Sequence, residues 1–191
     1  MWKRIFILVI LTLSLSSCFG WDTWVVDNSK WLTITWNKDF TIWVPNSWQI
    51  IEQKDSILPR PNKWNIELAV IAKDEKNSFK NNLLILSDKL GSFTTSKEFA
   101  ILNNIWASKD YIDYKKLDSK EITFSDGEVS IVYIFEAKYN LDTPKIKFLQ
   151  TSHICDQTKV FLLTIAISNS IKDTSKYEQL LSTFECKTKK E

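Results

Sequence analysis

The stretch that most restricts the fold is Val160-Phe161-Leu162-Leu163-Thr164-Ile165-Ala166-Ile167, which carries no charge and a single polar side chain. Its β-branched and aromatic residues read as a strand. Successive strand side chains point to opposite faces, so a strand apolar at both sets of positions must be covered on both sides. It belongs at the centre of a sheet, with a layer packed on each face.

The strands around it read as antiparallel. Lys145 to Cys155 precedes it across Asp156-Gln157-Thr158, which makes a hairpin with Lys159 to Ser168. Upstream, Asp126-Gly127 supplies the positive φ angles of a tight turn between Lys120–Phe124 and Glu128–Tyr139. In the second of these strands Val129, Ile131, Tyr133, Phe135, Ala137 and Tyr139 alternate onto one face, with Ser130, Glu136 and Lys138 on the other. Asp39 to Val44 reads as a strand that ends at Pro45, and Pro45-Asn46-Ser47-Trp48 turns into a second, Gln49 to Gln53. Pro59 and Pro61 make 56–63 a loop. Ile66 to Ala72 and Leu83 to Leu86 are apolar enough for buried strands, although the second is short enough to be part of a helix.

Two helices are expected. Thr95-Ser96-Lys97-Glu98 is a capping box, and Phe99, Leu102, Ile105 and Trp106 follow at helical spacing, which predicts one buried face and an end near Lys109. Tyr177, Leu180, Leu181 and Phe184, at i, i+3, i+4 and i+7, predict a second helix laying one stripe on the sheet. The whole is an α+β layered domain.

The N-terminus carries a different kind of signal. Lys3 and Arg4 precede an apolar run from Ile5 to Leu15 that is too short for a stop-transfer helix, and small residues follow. Leu15-Ser16-Ser17-Cys18 resembles the lipobox of bacterial lipoproteins. That resemblance implies cleavage after residue 17, palmitate-type acyl chains on Cys18, and a membrane-anchored, extracytoplasmic protein. An ordinary signal peptide or an uncleaved anchor helix is the alternative. Polar, patternless residues after Cys18 read as a tether over 18–37, which leaves 38–188 as one domain of ordinary size.

Without Lys3 and Arg4 the chain has 23 basic and 23 acidic residues, interspersed throughout. Neither a nucleic acid nor a polybasic lipid contact is expected. With Cys18 assigned to lipid, Cys155 and Cys186 remain. Outside the cytoplasm they suggest a disulfide closing a loop of about 30 residues, worth around 3 kcal/mol, the alternative being two buried free thiols. A single histidine, His153, and no Cys-x-x-Cys leave no zinc-type spacing, so no metal is expected.

Nine tryptophans against three glycines invert the usual ratio. Trp21, Trp24, Trp31, Trp36 and Trp64 sit among Asp, Asn, Ser, Lys and Thr, where a turn or tether would use glycine. This pattern points to UGA codons read as glycine in the source lineage, with a Trp-rich binding surface as the alternative. Trp48 reads as a genuine aromatic.

The segment Phe40-Thr41-Ile42-Trp43-Val44-Pro45-Asn46-Ser47-Trp48 resembles the opening of PsbP-like domains, a strand followed by Val-Pro, a turn and Trp. The mid-chain helix from Thr95, the hairpin strands and the closing Leu180-Leu181-Ser182-Thr183-Phe184 are similar to that family's layout over residues 38 to 186. The resemblance implies an α/β/α sandwich around a mainly antiparallel sheet, a fold shared with a Ran-binding nuclear transport factor, and binding or assembly work. No functional residue of the family maps onto this chain.

Enzyme signatures are absent. His153 lies within a strand, no serine sits in Gly-x-Ser-x-Gly, and no phosphate-cradling glycine loop emerges even if every Trp is read as Gly. The carboxylate pairs Asp110/Asp113 and Asp126/Glu128 fit turn roles better than acid/base or calcium chemistry. Tyr111, Tyr114, Tyr133 and Tyr139 fit sheet packing better than a ligand groove. The expected function is therefore a non-enzymatic, cofactor-free module anchored by lipid that binds an envelope protein. A carrier or sensor of a small hydrophobic ligand is the alternative, and a hydrolase with an unrecognised site a weaker third.

Overall fold

A computed structural model describes residues 31–36, 39–52, 64–75 and 78–187. The signal segment, Cys18 and the 56–63 loop lie outside the described residues. Ten strands and two helices follow in the order β1 (Trp31–Trp36), β2 (Phe40–Pro45), β3 (Trp48–Ile50), β4 (Asn65–Ala72), β5 (Asn82–Lys89), α1 (Ser96–Asp110), β6 (Ile112–Thr123), β7 (Val129–Lys138), β8 (Ile146–Cys155), β9 (Lys159–Ile167), α2 (Ser175–Ser182) and β10 (Glu185–Cys186).

Seven strands form one sheet in the order β3-β4-β5-β9-β8-β7-β6, and every neighbouring pair is antiparallel. The two-sided strand β9 is the middle one, between β5 and β8. Its odd-numbered residues Phe161, Leu163, Ile165 and Ile167 enter one core, while Ala166 enters the other. The alternation expected for β7 also holds. Tyr133, Phe135 and Ala137 pack on the α1 side, and Val132 and Ile134 on the opposite side.

The sandwich flanked by helices is met on one face only. Helix α1 covers one side of the main sheet, over Phe135, Ala137, Phe148 and Ala166. The other side is covered by α2 together with a second, three-stranded sheet, β1-β2-β10. The physical reason is length. Eight residues of helix span about 12 Å, whereas seven strands at about 4.8 Å spacing extend roughly 30 Å, so α2 cannot cover the face alone. Phe40 and Ile42 of β2, with Phe184 just past α2, fill the remainder.

Three local expectations change. β1 pairs along its whole length with β2, so strand structure begins at Trp31, inside the segment 18–37 expected to be a tether. β6 begins at Ile112 rather than Lys120. Its first half is polar and mostly exposed, as suits the outer strand of a sheet, with register shifts after Ile112 and Lys116. The run at Leu83 is a full strand of eight residues and not helical.

The capping box at Thr95 forms as expected. Thr95 Oγ1 accepts from the Glu98 amide at 3.2 Å, and Glu98 Oε2 accepts from the Thr95 amide at 2.9 Å. The buried face of α1, however, is Ser96, Phe99, Ala100, Asn103 and Ala107. Leu102, Ile105 and Trp106 are exposed. Small residues let the helix approach the sheet closely, and Asn103 is drawn inward by the sheet's own polar groups. Its amide donates to Gln150 Oε1 at 2.7 Å, and Gln150 Nε2 donates to Thr164 Oγ1 at 2.9 Å, a buried chain linking α1, β8 and β9.

Candidate functional site

Two places in the molecule combine chemistry with geometry. The first is the outer surface of α1. Leu102, Ile105 and Trp106 are 46%, 43% and 48% exposed, and Phe93, just ahead of the helix, is 73% exposed. Beside them the loop following β5 and the Phe99, Leu102 and Trp106 side of α1 enclose a groove of about 250 Å³, floored by the buried Val160. Trp64 and Trp106 both meet the Phe99 ring edge-to-face, with centroids 6.1 and 6.2 Å away. An α-helix that turns Leu102, Ile105 and Trp106 to solvent has the marks of an interaction surface.

The second place is the end of β8. Strand alternation puts His153 and Cys155 on one face, and β10 brings Cys186 against them. Cys155 and Cys186 form the disulfide, with Cα atoms 5.9 Å apart. His153 is 2% exposed, wedged between the rings of Phe124 and Phe184 at 4.7 and 5.1 Å. Its Nε2 lies 2.9 Å from Asp126 Oδ2, and its Nδ1 lies 3.2 Å from Cys186 Sγ and 3.8 Å from Cys155 Sγ.

Asp126 does more than turn the β6–β7 hairpin. It accepts from the Glu128 amide at 3.2 Å, as a turn residue does, but also from the Cys186 amide at 3.0 Å and from His153. Burial would raise its carboxyl, yet the Cys186 amide and the His153 ring hold it below its ordinary value. The sequence showed His153 and Cys155 two apart on a strand. The Cys155–Cys186 bond, 31 residues apart, is the disulfide expected from the sequence, whereas the 27-residue jump from His153 to Asp126 exists only in the fold.

His153, Cys155 and Cys186 are also the one group among the described residues with the donor types of a metal site, their ligand atoms all within 4.8 Å of one another. Reading sequence spacing alone missed this grouping. With the sulfurs joined to each other neither is a thiolate, so the group as it stands is not a metal centre.

The remaining candidates take structural places. Tyr111 packs on Phe135, Phe148 and Tyr139, and Tyr139 on Phe148, with centroids 5.0 to 5.7 Å apart, so both are partly buried rings packed against the α1-side core. Burial pushes the Tyr111 hydroxyl up to about 12 and the Tyr139 hydroxyl higher still. Tyr114 donates to Asn104 of α1, and Lys116 lies 5.1 Å over the Tyr133 ring. Asp110 ends α1, and Asp113, at a positive φ in β6, pairs with Lys138 at 3.7 Å, so the two carboxylates have separate tasks. Trp36 lies in strand β1 without a positive φ, so its backbone does not require glycine, and Trp21 and Trp24 lie outside the described residues.

No protein-family model matches the chain, and no curated protein does. Solved structures do. The solution structure of cyanobacterial PsbP (CyanoP) from Synechocystis sp. PCC 6803 superposes with a TM-score of 0.57 at 17% identity, covering 90% of this chain and 98% of that one. The chain has a PsbP-like fold. PA94, a Pseudomonas aeruginosa protein of unknown function, aligns at 11% identity over 78% of this chain and 89% of its own, with a TM-score of 0.49. A Bacteroides thetaiotaomicron structure aligns at 10% identity over 80% of this chain and 46% of its own, with a TM-score of 0.42. The PsbP-like opening read from Phe40 to Trp48 corresponds to β2, its turn and the start of β3, where Trp48 is buried opposite Ala72. No described helix is long and apolar enough to cross a membrane.

Proposed function

We propose that this chain is a non-catalytic module of the bacterial cell envelope, anchored through acylated Cys18, that holds a partner protein against the outer face of α1. The observation that carries the reading is the inversion of α1. Apart from Phe99, its sheet-facing side uses small and polar residues, while Leu102, Ile105 and Trp106, with Phe93 just ahead of the helix, are left in solvent. Trp106 lies inside α1, where glycine would cost about 1 kcal/mol relative to alanine, so unlike the tether and turn positions it reads as a genuine tryptophan, and a buried Trp at the middle of an interface is a typical binding anchor.

The groove beside α1 favours a protein over a small hydrophobic ligand. Its volume of about 250 Å³ falls below the usual range for ligand pockets, and Asp88 and Lys89 lie on its wall. An apolar segment of a partner, with Trp106 and Leu102 as anchors and a polar rim, fits better.

The test is a paired capture from detergent-solubilised membranes of the source cells. Wild-type protein is expected to retain a defined partner, and Trp106→Lys to lose it by at least about tenfold in affinity, the size expected for a Trp hot spot. Because Trp106 is half exposed, the thermal midpoint should move little. Equal capture by both proteins would contradict the reading.

A further inference from the structure

The ring of His153 is matched to one redox state of the neighbouring sulfurs and not to the other. A carboxylate only accepts hydrogen bonds, so Nε2, 2.9 Å from Asp126, carries a proton and donates it. That leaves Nδ1, buried and facing Cys186 Sγ at 3.2 Å, either as a bare acceptor or with a second proton. A disulfide sulfur has no hydrogen to give the first and only a weak lone pair for the second. A Cys186 thiol would donate to the first, and a Cys186 thiolate would accept from the second. Burying a poorly partnered ring nitrogen is costly, so this ring penalises the oxidised pair relative to the reduced one.

Access differs between the two sulfurs. Cys155 is buried within the ten-residue strand β8, whereas Cys186 is half-buried on the two-residue edge strand β10. Asp126 accepts from the Cys186 amide and the His153 ring together, so one carboxylate sets the position of both.

We propose that Cys155–Cys186 is a thiol-exchangeable redox site, with Cys186 as the sulfur attacked and His153, positioned by Asp126, as the group that favours reduction. An incoming thiolate attacks Cys186 Sγ and forms a mixed disulfide. The bond to Cys155 breaks, and the Cys155 sulfur leaves with the bonding pair and takes up a proton. A second thiol attacks the reductant's sulfur in the mixed disulfide, forming the reductant's own disulfide and releasing Cys186 against Nδ1. Two thiols, or one dithiol, thereby give two electrons and two protons to the pair. The reductant class is a thiol, and the site is independent of the α1 surface on the opposite face of the sheet.

The experiment equilibrates the purified full chain in glutathione and in dithiothreitol redox buffers, quenches with acid, and counts alkylated Cys155 and Cys186 by peptide mass. The wild-type pair is expected to become substantially reduced in excess reduced glutathione, which leaves strongly stabilised structural disulfides intact. His153→Gln and Asp126→Asn are expected to be at least about tenfold harder to reduce, a shift of about 30 mV toward more negative potential. A wild-type pair that stays fully oxidised in glutathione overturns the proposal without reference to any variant. Folded variants that titrate with the wild type overturn the role of His153 and Asp126, and a trapped glutathione mixed disulfide found on Cys155 rather than on Cys186 overturns the order of attack.

Discussion

Asp126 shows how one side chain serves local and tertiary structure together. Its carboxylate closes a hairpin turn, fixes the His153 ring and holds the amide of Cys186. Asp126→Asn should therefore destabilise the protein by about 2 kcal/mol at neutral pH, the range for hydrogen bonds to a charged group. Its pH dependence has a definite sign. A carboxyl held low in the folded chain binds its proton more weakly there than in the unfolded chain, so its contribution is complete above the ordinary value of about 3.9 and is lost as pH falls through the lower folded value. Urea unfolding at pH 7 and at pH 3 should show the wild type losing its advantage over the variant at the lower pH. The turn between β8 and β9 gives a second test. Asp156 and Gln157 adopt φ of 52° and 56° without a glycine, a left-handed conformation that costs an ordinary residue roughly 1 kcal/mol. Gln157→Gly should stabilise by up to about 1 kcal/mol in the same assay. The turn itself was readable from Asp-Gln-Thr between two strands. The partner of Asp126 was not, because a turn acid looks the same in a sequence whether or not a histidine waits across the sheet.

At the scale of elements, what was legible followed periodicity. β9 announced itself by being apolar on both faces, and β7 by strict alternation over Tyr133, Phe135 and Ala137. Helix α1 announced its start through Thr95 and Glu98 but not its orientation. Large apolar residues lie around most of its circumference, so a period of 3.6 does not single out a face, and the sheet selects Ala100, Asn103 and Ala107 by their small size and by the Gln150 partner. The Asn103 bond should matter accordingly. Asn103→Ala leaves Gln150 buried with its carbonyl oxygen unpartnered and should cost about 1 to 3 kcal/mol, whereas Ile105→Ala on the exposed face should fall within about 0.5 kcal/mol. The first half of β6 escaped notice because its charged, exposed residues carry no apolar repeat, as is common in a strand that must not pair further.

For the whole molecule, the main sheet separates two surfaces with different properties. One carries α1 with its solvent-facing aromatics, and the other carries α2, the small sheet and the Cys155–Cys186 tie to the C-terminal strand. The fold class was readable from the order of strands and helices. The second sheet was not, because it needs β10, two residues long, to return from the C-terminal end of the domain and pair Glu185 with Thr41 and Cys186 with Phe40. The proposed anchor has its own test. The N-terminal peptide from a membrane fraction should begin at Cys18 and carry the mass of acyl chains, while an unmodified chain beginning at Met1 would remove the envelope assignment. The claim that joins fold to function is that the outer face of α1 meets a protein partner. The most direct measurement places a photo-cross-linking residue at Trp106, or at the exposed Lys176 of α2 as a control, and irradiates intact source cells. A discrete adduct from position 106 and none from position 176 is the predicted result; no adduct at 106, or the same adducts from both positions, would contradict it.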